Sequence, residues 1–200
     1  MTTTRTTFDA SALPTVVIGR GIGWWGTIGF MVIEGTTLAV CAVTDLYLRK
    51  NFPHWPPLPI RPPDLVIPTI NLVVILLCIV PMNAVSRAAK RLDRAGVKRW
   101  LACALVLGLA AVVLRYFEFG ALNVRWDANA YGSIAWTTIG VHASLLLVDF
   151  LETATILAIF FSPRFQDKYY ADAVDAAVYQ YFLSLVWVPL YVIVFLAPYW

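Results

Sequence analysis

Residues 24–43 read WWGTIGFMVIEGTTLAVCAV, an apolar run in which Glu34 is the one acidic or basic side chain. A helix that spans a bilayer needs about 20 consecutive apolar residues, which is the length of this run. Because backbone groups in hydrocarbon must be hydrogen-bonded within their own segment, the run is predicted to be a transmembrane helix. A carboxyl group near its middle is costly, so it marks a functional site or a buried polar contact.

The whole chain has the composition of a membrane protein. Of its 200 residues, 60% are hydrophobic and 14% are charged, and the mean hydropathy is +0.73. Soluble domains are closer to half apolar and a quarter charged. The net charge of +3 is too small to indicate a nucleic-acid partner.

The apolar segments predict an all-α, polytopic membrane protein built as a bundle of five transmembrane helices. Residues 21–200 form one membrane domain. Residues 1–20 are predicted to be a disordered or surface-lying tail, because Met1–Ala12 is rich in Thr and lacks the apolar core of a cleavable signal. The predicted helices cover residues 24–48, 67–85, 100–117, 133–161 and 176–196.

Basic residues in the connections predict the orientation. The densest cluster, between the second and third helices, consists of Arg87, Lys90, Arg91, Arg94, Lys98 and Arg99. Placing this cluster in the cytoplasm puts the N-terminus inside and the C-terminus outside. Arg5, Arg20, Arg164 and Lys168 then also lie inside, against Arg49, Lys50, Arg61 and Arg125 outside. The cluster is interpreted as a topology signal, with lipid headgroup binding as the alternative.

Cysteine and histidine usage predicts that the chain itself carries no redox cofactor. Cys41, Cys78 and Cys103 fall inside predicted helices and are too far apart for a C-x-x-C motif. The two histidines, His54 and His142, are too few to ligate two haems, and no Cys/His cluster is available for copper.

Two groups of ionisable side chains fall within the predicted helices. Glu34, Asp149 and Glu152 are expected near mid-depth, with at least one of them protonated, because mutual repulsion and burial oppose three charges there. Three roles stay open for this group: a structural hydrogen bond, proton storage or relay, and contact with a neighbouring subunit. In the structural role, these groups pair with one another, with hydroxyls such as Thr36, Thr37 and Thr153, or with water between helices.

The second group is expected towards the outer side. Arg115 and Glu118 are three residues apart and share a helix face, which predicts an ion pair. His142 is interpreted as a hydrogen-bonded packing residue, so the group is read as structural.

Residues 53–71, PHWPPLPIRPPDLVIPTIN, hold seven prolines in nineteen residues. A helix cannot run through such a stretch, which predicts a stiff, extended cover at the membrane surface.

This loop and five later motifs resemble subunit III of haem–copper terminal oxidases. The matching elements, in the order of that family, are Trp55-Pro56-Pro57 with Pro68 and Asn71, Leu107-Gly108, Glu118-Phe119, Tyr131-Gly132-Ser133, Gly140-Val141-His142 and Ala176-Ala177-Val178-Tyr179. Glu34 falls where the family carries a buried Glu ahead of the WPP loop. The chain departs from the family pattern at Arg115, Leu145, Asp149, Gln180-Tyr181 and Ser184. Two helices that precede this region in longer members are absent, as in five-helix bacterial forms.

The resemblance implies an accessory subunit of a haem–copper oxygen reductase, with cytochrome c oxidase preferred. It implies that subunits I and II are partners, that they hold the haem and copper, and that this chain supports assembly, phospholipid binding and proton uptake in the bacterial inner membrane. A quinol oxidase or an accessory protein of a nitric oxide reductase is the alternative within this class. A small proton-coupled transporter is the alternative of another class, although the sequence lacks the internal repeat typical of transporters.

Overall fold

The computed structural model describes residues 18–19 and 21–200, so almost all of the predicted N-terminal tail lies outside the described residues. The described part contains helices and no strand. The helices are α1 (Ile22–Lys50), α2 (Val66–Leu77), α3 (Ile79–Lys90), α4 (Arg94–Ala121), α5 (Ala130–Phe161) and α6 (Tyr169–Tyr191), followed by a π turn (Val192–Leu196) and a 3-10 turn (Ala197–Tyr199).

The six α-helices form five spans that are long and apolar enough to cross a membrane. The number is five because α2 and α3 join into one span, Val66–Lys90. Cys78, between them, keeps helical backbone angles (φ −58°, ψ −24°). The predicted all-α architecture with five membrane-spanning helices is therefore confirmed.

The five spans all begin earlier than the apolar segments that predicted them, and at α4 and α5 a polar residue caps the start of the helix. Oδ1 of Asp93 accepts a hydrogen bond from the Gly96 amide at 2.9 Å, and Oδ1 of Asn129 accepts one from the Gly132 amide at 2.9 Å. These are N-cap contacts, which satisfy amides that have no partner within the helix. The difference is largest for α6, which begins at Tyr169 rather than at residue 176.

The helix α6 is the centre of the bundle and α1 is its edge. Helix α6 packs against α1, α3 and α5, and also meets α2. Helix α1 packs mainly against α5 and α6, and much of its apolar surface is exposed, including Phe30, Ile33 and Val43. Exposed apolar side chains are what a lipid-facing helix presents. One side of α1 is thus free of contacts with the other described helices.

The two ends of the bundle differ in chemistry. The basic end contains the turn at residues 91–93 and the connection at 162–168; the proline-rich end contains the connections at 51–65 and 122–129. The proline-rich loop is fastened to its surroundings: Nδ2 of Asn123 donates to the Pro62 carbonyl at 3.0 Å, and the Tyr199 hydroxyl donates to the Pro63 carbonyl at 2.6 Å. The Trp55 ring meets the buried Tyr131 ring edge-on, with centroids 5.1 Å apart.

Candidate functional site

Arg115 is the centre of a buried polar cluster between α4, α5 and α6. The residue is 2% exposed, and its Nη1 donates to Oε2 of Glu118. Its Nη2 donates to Nδ1 of His142 at 3.0 Å, and the guanidinium carbon lies 3.9 Å from the centre of the Trp187 ring. A buried arginine needs an anion, hydrogen-bond acceptors or an aromatic face, and this one has all three. The predicted grouping of Arg115, Glu118 and His142 is present.

The contacts of His142 define its tautomer. An arginine only donates hydrogen bonds, so Nδ1 must carry the lone pair that accepts from Arg115. The other nitrogen, Nε2, lies 3.1 Å from the carbonyl oxygen of Leu183, which only accepts, so Nε2 carries the proton. The His142 ring also lies against Trp187, with centroids 4.5 Å apart. The imidazole is therefore neutral, and neither nitrogen is free to ligate a metal.

Two residues that the sequence reasoning missed complete this cluster. Asn71 of α2 and Trp187 of α6 are both fully buried. The Asn71 amide, the Trp187 indole N–H and Oε1 of Glu118 make no side-chain hydrogen bond within the described residues. The motif position of Asn71 in the family resemblance was the available signal, because a polar side chain in an apolar helix indicates an interior contact.

Glu34 lies in a second polar site, at a groove between α1, α5 and α6. Its Oε2 accepts a hydrogen bond of 2.7 Å from the Tyr179 hydroxyl. Glu152 lines the same groove, whose volume is about 330 Å³. Glu34 is half-buried and Glu152 is exposed, because no helix beyond the edge helix α1 covers this groove among the described residues. The structure thus brings Glu34 and Glu152 to one groove.

Asp149 occupies a different environment from the two glutamates. It is 3% exposed, and its Oδ1 has no hydrogen-bond partner among the described residues. The residue lies one helical turn before Glu152, as predicted, but on the enclosed side of α5. The three acids therefore do not form one equivalent set.

Thr36 and Thr37 do not hydrogen-bond to Glu34 among the described residues. The Thr36 and Thr37 hydroxyls donate to carbonyls of their own helix, those of Val32 and Ile33, at 2.7 and 3.1 Å. Such bonds to the preceding turn are the ordinary outcome for a threonine in a helix. Tyr179 is the partner instead, and it was missed because a long-range contact leaves no pattern in one sequence.

Further acids lie close to the groove at the basic end. Asp172 and Asp175 are within electrostatic range of Glu152. Asp175 also reaches α1, since a Cβ added at Gly23 would lie 3.1 Å from its Oδ2. The late predicted start of the last helix had placed these two acids in a loop. They belong to the first two turns of α6.

Comparison with known proteins gives the lineage of this fold. The family model described as cytochrome c oxidase subunit III matches residues 49–200, which hold the proline-rich loop, α2 to α6 and the Arg115 cluster. The chain belongs to the cytochrome c oxidase subunit III family. The earlier resemblance to subunit III of haem–copper oxidases is thereby confirmed.

Relatives in this subunit III family are distant. A protein named cytochrome c oxidase subunit 3 from Synechocystis sp. is 22% identical over 173 residues, covering 86% of this chain and 74% of the relative. Its namesake from Thermostichus vulcanus is 21% identical over 175 residues, covering 86% and 85%. The one from Loxodonta africana is 27% identical over 150 residues, covering 74% of this chain and 55% of the relative.

Proposed function

We propose that this chain is an accessory membrane subunit of a haem–copper oxidase, a cytochrome c oxidase of the bacterial inner membrane that serves aerobic respiration. The match of residues 49–200 to the subunit III family carries this proposal. The five-helix fold supports it. Subunits I and II of the oxidase are the proposed partners.

The redox centres of such an oxidase belong, in this proposal, to the partner subunits. Among the described residues no group of three or more His, Cys, Asp and Glu side chains is arranged to hold a metal ion. His142 has both ring nitrogens engaged, and His54 lies exposed in a loop. The described residues therefore offer no donor set for haem or copper, and the proposed contribution of the chain is to pack, orient and supply polar groups to the complex.

The Glu34 groove is the proposed place where the chain supports proton uptake. Glu34 holds α1 to α6 through the Tyr179 hydroxyl, so it has a structural role in the bundle. The same carboxyl faces a groove that Glu152 also lines, and this shared groove supports the proposed role in proton exchange. If this group of acids instead contacts a neighbouring subunit, the contact would form at the uncovered side of α1.

The proposed orientation places the N-terminus in the cytoplasm. The connections at residues 91–93 and 162–168 lie at one end of the bundle, because Arg94 reaches the carbonyls of Phe160 and Ser162. Most of the basic residues of the connections are gathered there, which is the cytoplasmic signature of membrane proteins. Labelling of an introduced cysteine at position 168 from one side of sealed vesicles, and at position 127 from the other, tests this orientation.

The experiment for the function is extraction of the tagged full chain from its native membrane in mild detergent. We expect a haem-bearing partner to copurify, with a reduced-minus-oxidised haem spectrum and oxygen uptake driven by reduced cytochrome c. Activity with quinol alone would assign a quinol oxidase, and nitric oxide reduction would assign the other accessory role. A colourless chain that moves a solute across vesicles would contradict the proposal.

Substitution of Glu34 separates the two roles of that residue. Glu34→Gln keeps an oxygen that accepts from Tyr179 but cannot exchange a proton. We expect the complex to assemble and to lose activity sooner during turnover, whereas Asp127→Asn, in an exposed loop, leaves the turnover lifetime unchanged. An unaltered lifetime for Glu34→Gln would remove the proton role and leave only the structural one.

A further inference from the structure

Five of the six residues in the basic cluster between α3 and α4 fall into two sets with different contacts. Arg94 is committed to the protein: its Nη2 donates to the Phe160 carbonyl at 2.8 Å and to the Ser162 carbonyl at 2.9 Å. Its guanidinium carbon also lies 4.3 Å from the centre of the Phe165 ring. Lys98 lies over the Phe161 ring at 4.6 Å. These two residues fasten the end of α5 to α4, so their positions have a structural explanation.

The other set has no such partners. Arg87, Arg91 and Arg99 are exposed, and together with Trp100 they line one open surface cavity of about 310 Å³ between the end of α3 and the start of α4. In the described part of the chain none of the three makes an ion pair or a side-chain hydrogen bond. Three guanidinium groups around one cavity repel one another. Neither favourable interaction with a helix end nor a topology signal requires the three groups to lie so close together.

The one carboxylate in the lining of this cavity is already engaged. Asp93 caps α4, with Oδ1 accepting from the Gly96 amide at 2.9 Å. Three guanidinium groups against one carboxylate leave a formal charge of +2 in the cavity. The first turn of the 28-residue helix α4 adds the positive end of its dipole. The cavity is therefore built to attract an anion.

We propose that Arg87, Arg91 and Arg99 bind the phosphate group of an anionic phospholipid. Guanidinium forks match phosphate oxygens in pairs, which makes arginine suited to this group. Trp100 is 38% exposed beside the cavity, where an indole ring lies at the level of lipid headgroups. Basic pockets between transmembrane helices are typical headgroup sites. The site does not depend on the proposed oxidase role, because lipid is present around the chain in either case.

The test measures lipid retention and thermal stability of the full-length protein, alone or in its complex, in micelles doped with phosphatidylglycerol or phosphatidylcholine. The pocket variant is R87Q/R91Q/R99Q. The matched control, K90Q/R164Q/K168Q, removes three charges from the same end of the bundle outside the cavity lining. We expect the wild type and the control to retain phosphatidylglycerol in preference to phosphatidylcholine. The pocket variant should lose that preference.

The single variant Arg99→Gln keeps the proposal testable if the triple variant does not fold. Loss of one charge-assisted phosphate contact should weaken phosphatidylglycerol binding by about tenfold. Equal losses in the pocket and control variants would reduce the effect to general surface charge and overturn the site. Stabilisation by inorganic phosphate as strong as that by phosphatidylglycerol would overturn the lipid assignment in favour of a soluble anion.

Discussion

Arg115 and Glu118 form an ion pair one helical turn apart on α4, in a place where the residues are 2% and 0% exposed. The pair is held from the other helices by His142 on α5 and by the Trp187 ring on α6. Neither charge can be removed alone without leaving the other inside an apolar bundle. The packing of α4, α5 and α6 therefore depends on keeping both members of this ion pair.

Replacing Arg115 by Met should destabilise the chain strongly, because Glu118 stays buried without its cation. Breaking a buried pair in this way costs about 3–5 kcal/mol. Replacing both residues, as in R115M/E118L, should recover a large part of that loss. The measurement is the free energy of unfolding in mixed micelles, analysed as a double-mutant cycle.

The control for this cycle is Arg125 with Asp127, a pair whose side chains are 78% and 39% exposed. Because exposed pairs contribute little, R125Q should leave the unfolding transition unchanged. Similar effects for the two pairs would show that burial does not govern the Arg115 cluster.

Tyr179→Phe should weaken the attachment of α1. The substitution removes the hydroxyl that donates to Glu34 and keeps the ring. Side-chain hydrogen bonds between transmembrane helices contribute about 0.6–1.7 kcal/mol, and a loss of that size is expected. The measurements are the free energy of unfolding in mixed micelles and hydrogen exchange along α1, which should accelerate. Tyr116→Phe, at a residue that is 76% exposed, is the matched control and should change neither quantity.

Arg94→Gln should loosen the basic end of the bundle. Arg94 donates to two carbonyls at the end of α5, and such charged hydrogen bonds contribute about 1.5–3 kcal/mol. Hydrogen exchange of residues 158–168 should accelerate in this variant. Lys90→Gln is the control, because it removes a charge from the same end of the bundle at an exposed position. If residues 158–168 exchange as fast in Lys90→Gln as in Arg94→Gln, the prediction is contradicted.

Gly132→Ala should disturb the connection between α4 and α5. A Cβ at this position would lie 2.2 Å from the Arg125 carbonyl oxygen and 3.0 Å from Cγ2 of Val124. Backbone must move to admit it, and such overpacking costs about 1–3 kcal/mol. Gly140→Ala, on the same helix with nothing within 4 Å, should be neutral or slightly stabilising. Thermal unfolding of the two variants side by side decides the point.

The class of fold follows from the sequence because a membrane leaves few alternatives. A run such as residues 24–43 can satisfy its backbone in lipid only as a helix, so hydropathy alone predicts five spans. The ends of the helices do not follow in the same way. Asp93 and Asn129 extend two helices as caps, and Asp172 lies inside α6 although an apolar window excludes it.

Groupings of polar residues across helices could be predicted only from their expected depth, whereas individual contacts were predictable only where the partners share a helix. Arg115 and Glu118 are three residues apart, so their pairing is a local inference. Glu34 and Tyr179 are 145 positions apart, and nothing in one sequence connects a tyrosine in the last helix with an acid in the first. In the same way, the packing of α3, α4 and α5 decides that Arg94 contacts the protein while Arg87, Arg91 and Arg99 line a cavity. One sequence does not reveal this difference.

The separation of Glu34 from Tyr179 has a consequence for biosynthesis. Helix α1 leaves the ribosome first, but the helices that it packs against, α5 and α6, are made last. At about 5–20 residues per second, Glu34 waits roughly 7–30 s for its hydroxyl partner. During that interval the Glu34 carboxyl lies in α1 without its hydroxyl partner, which makes α1 a natural client for the insertion machinery. The bundle closes only when its last helix arrives.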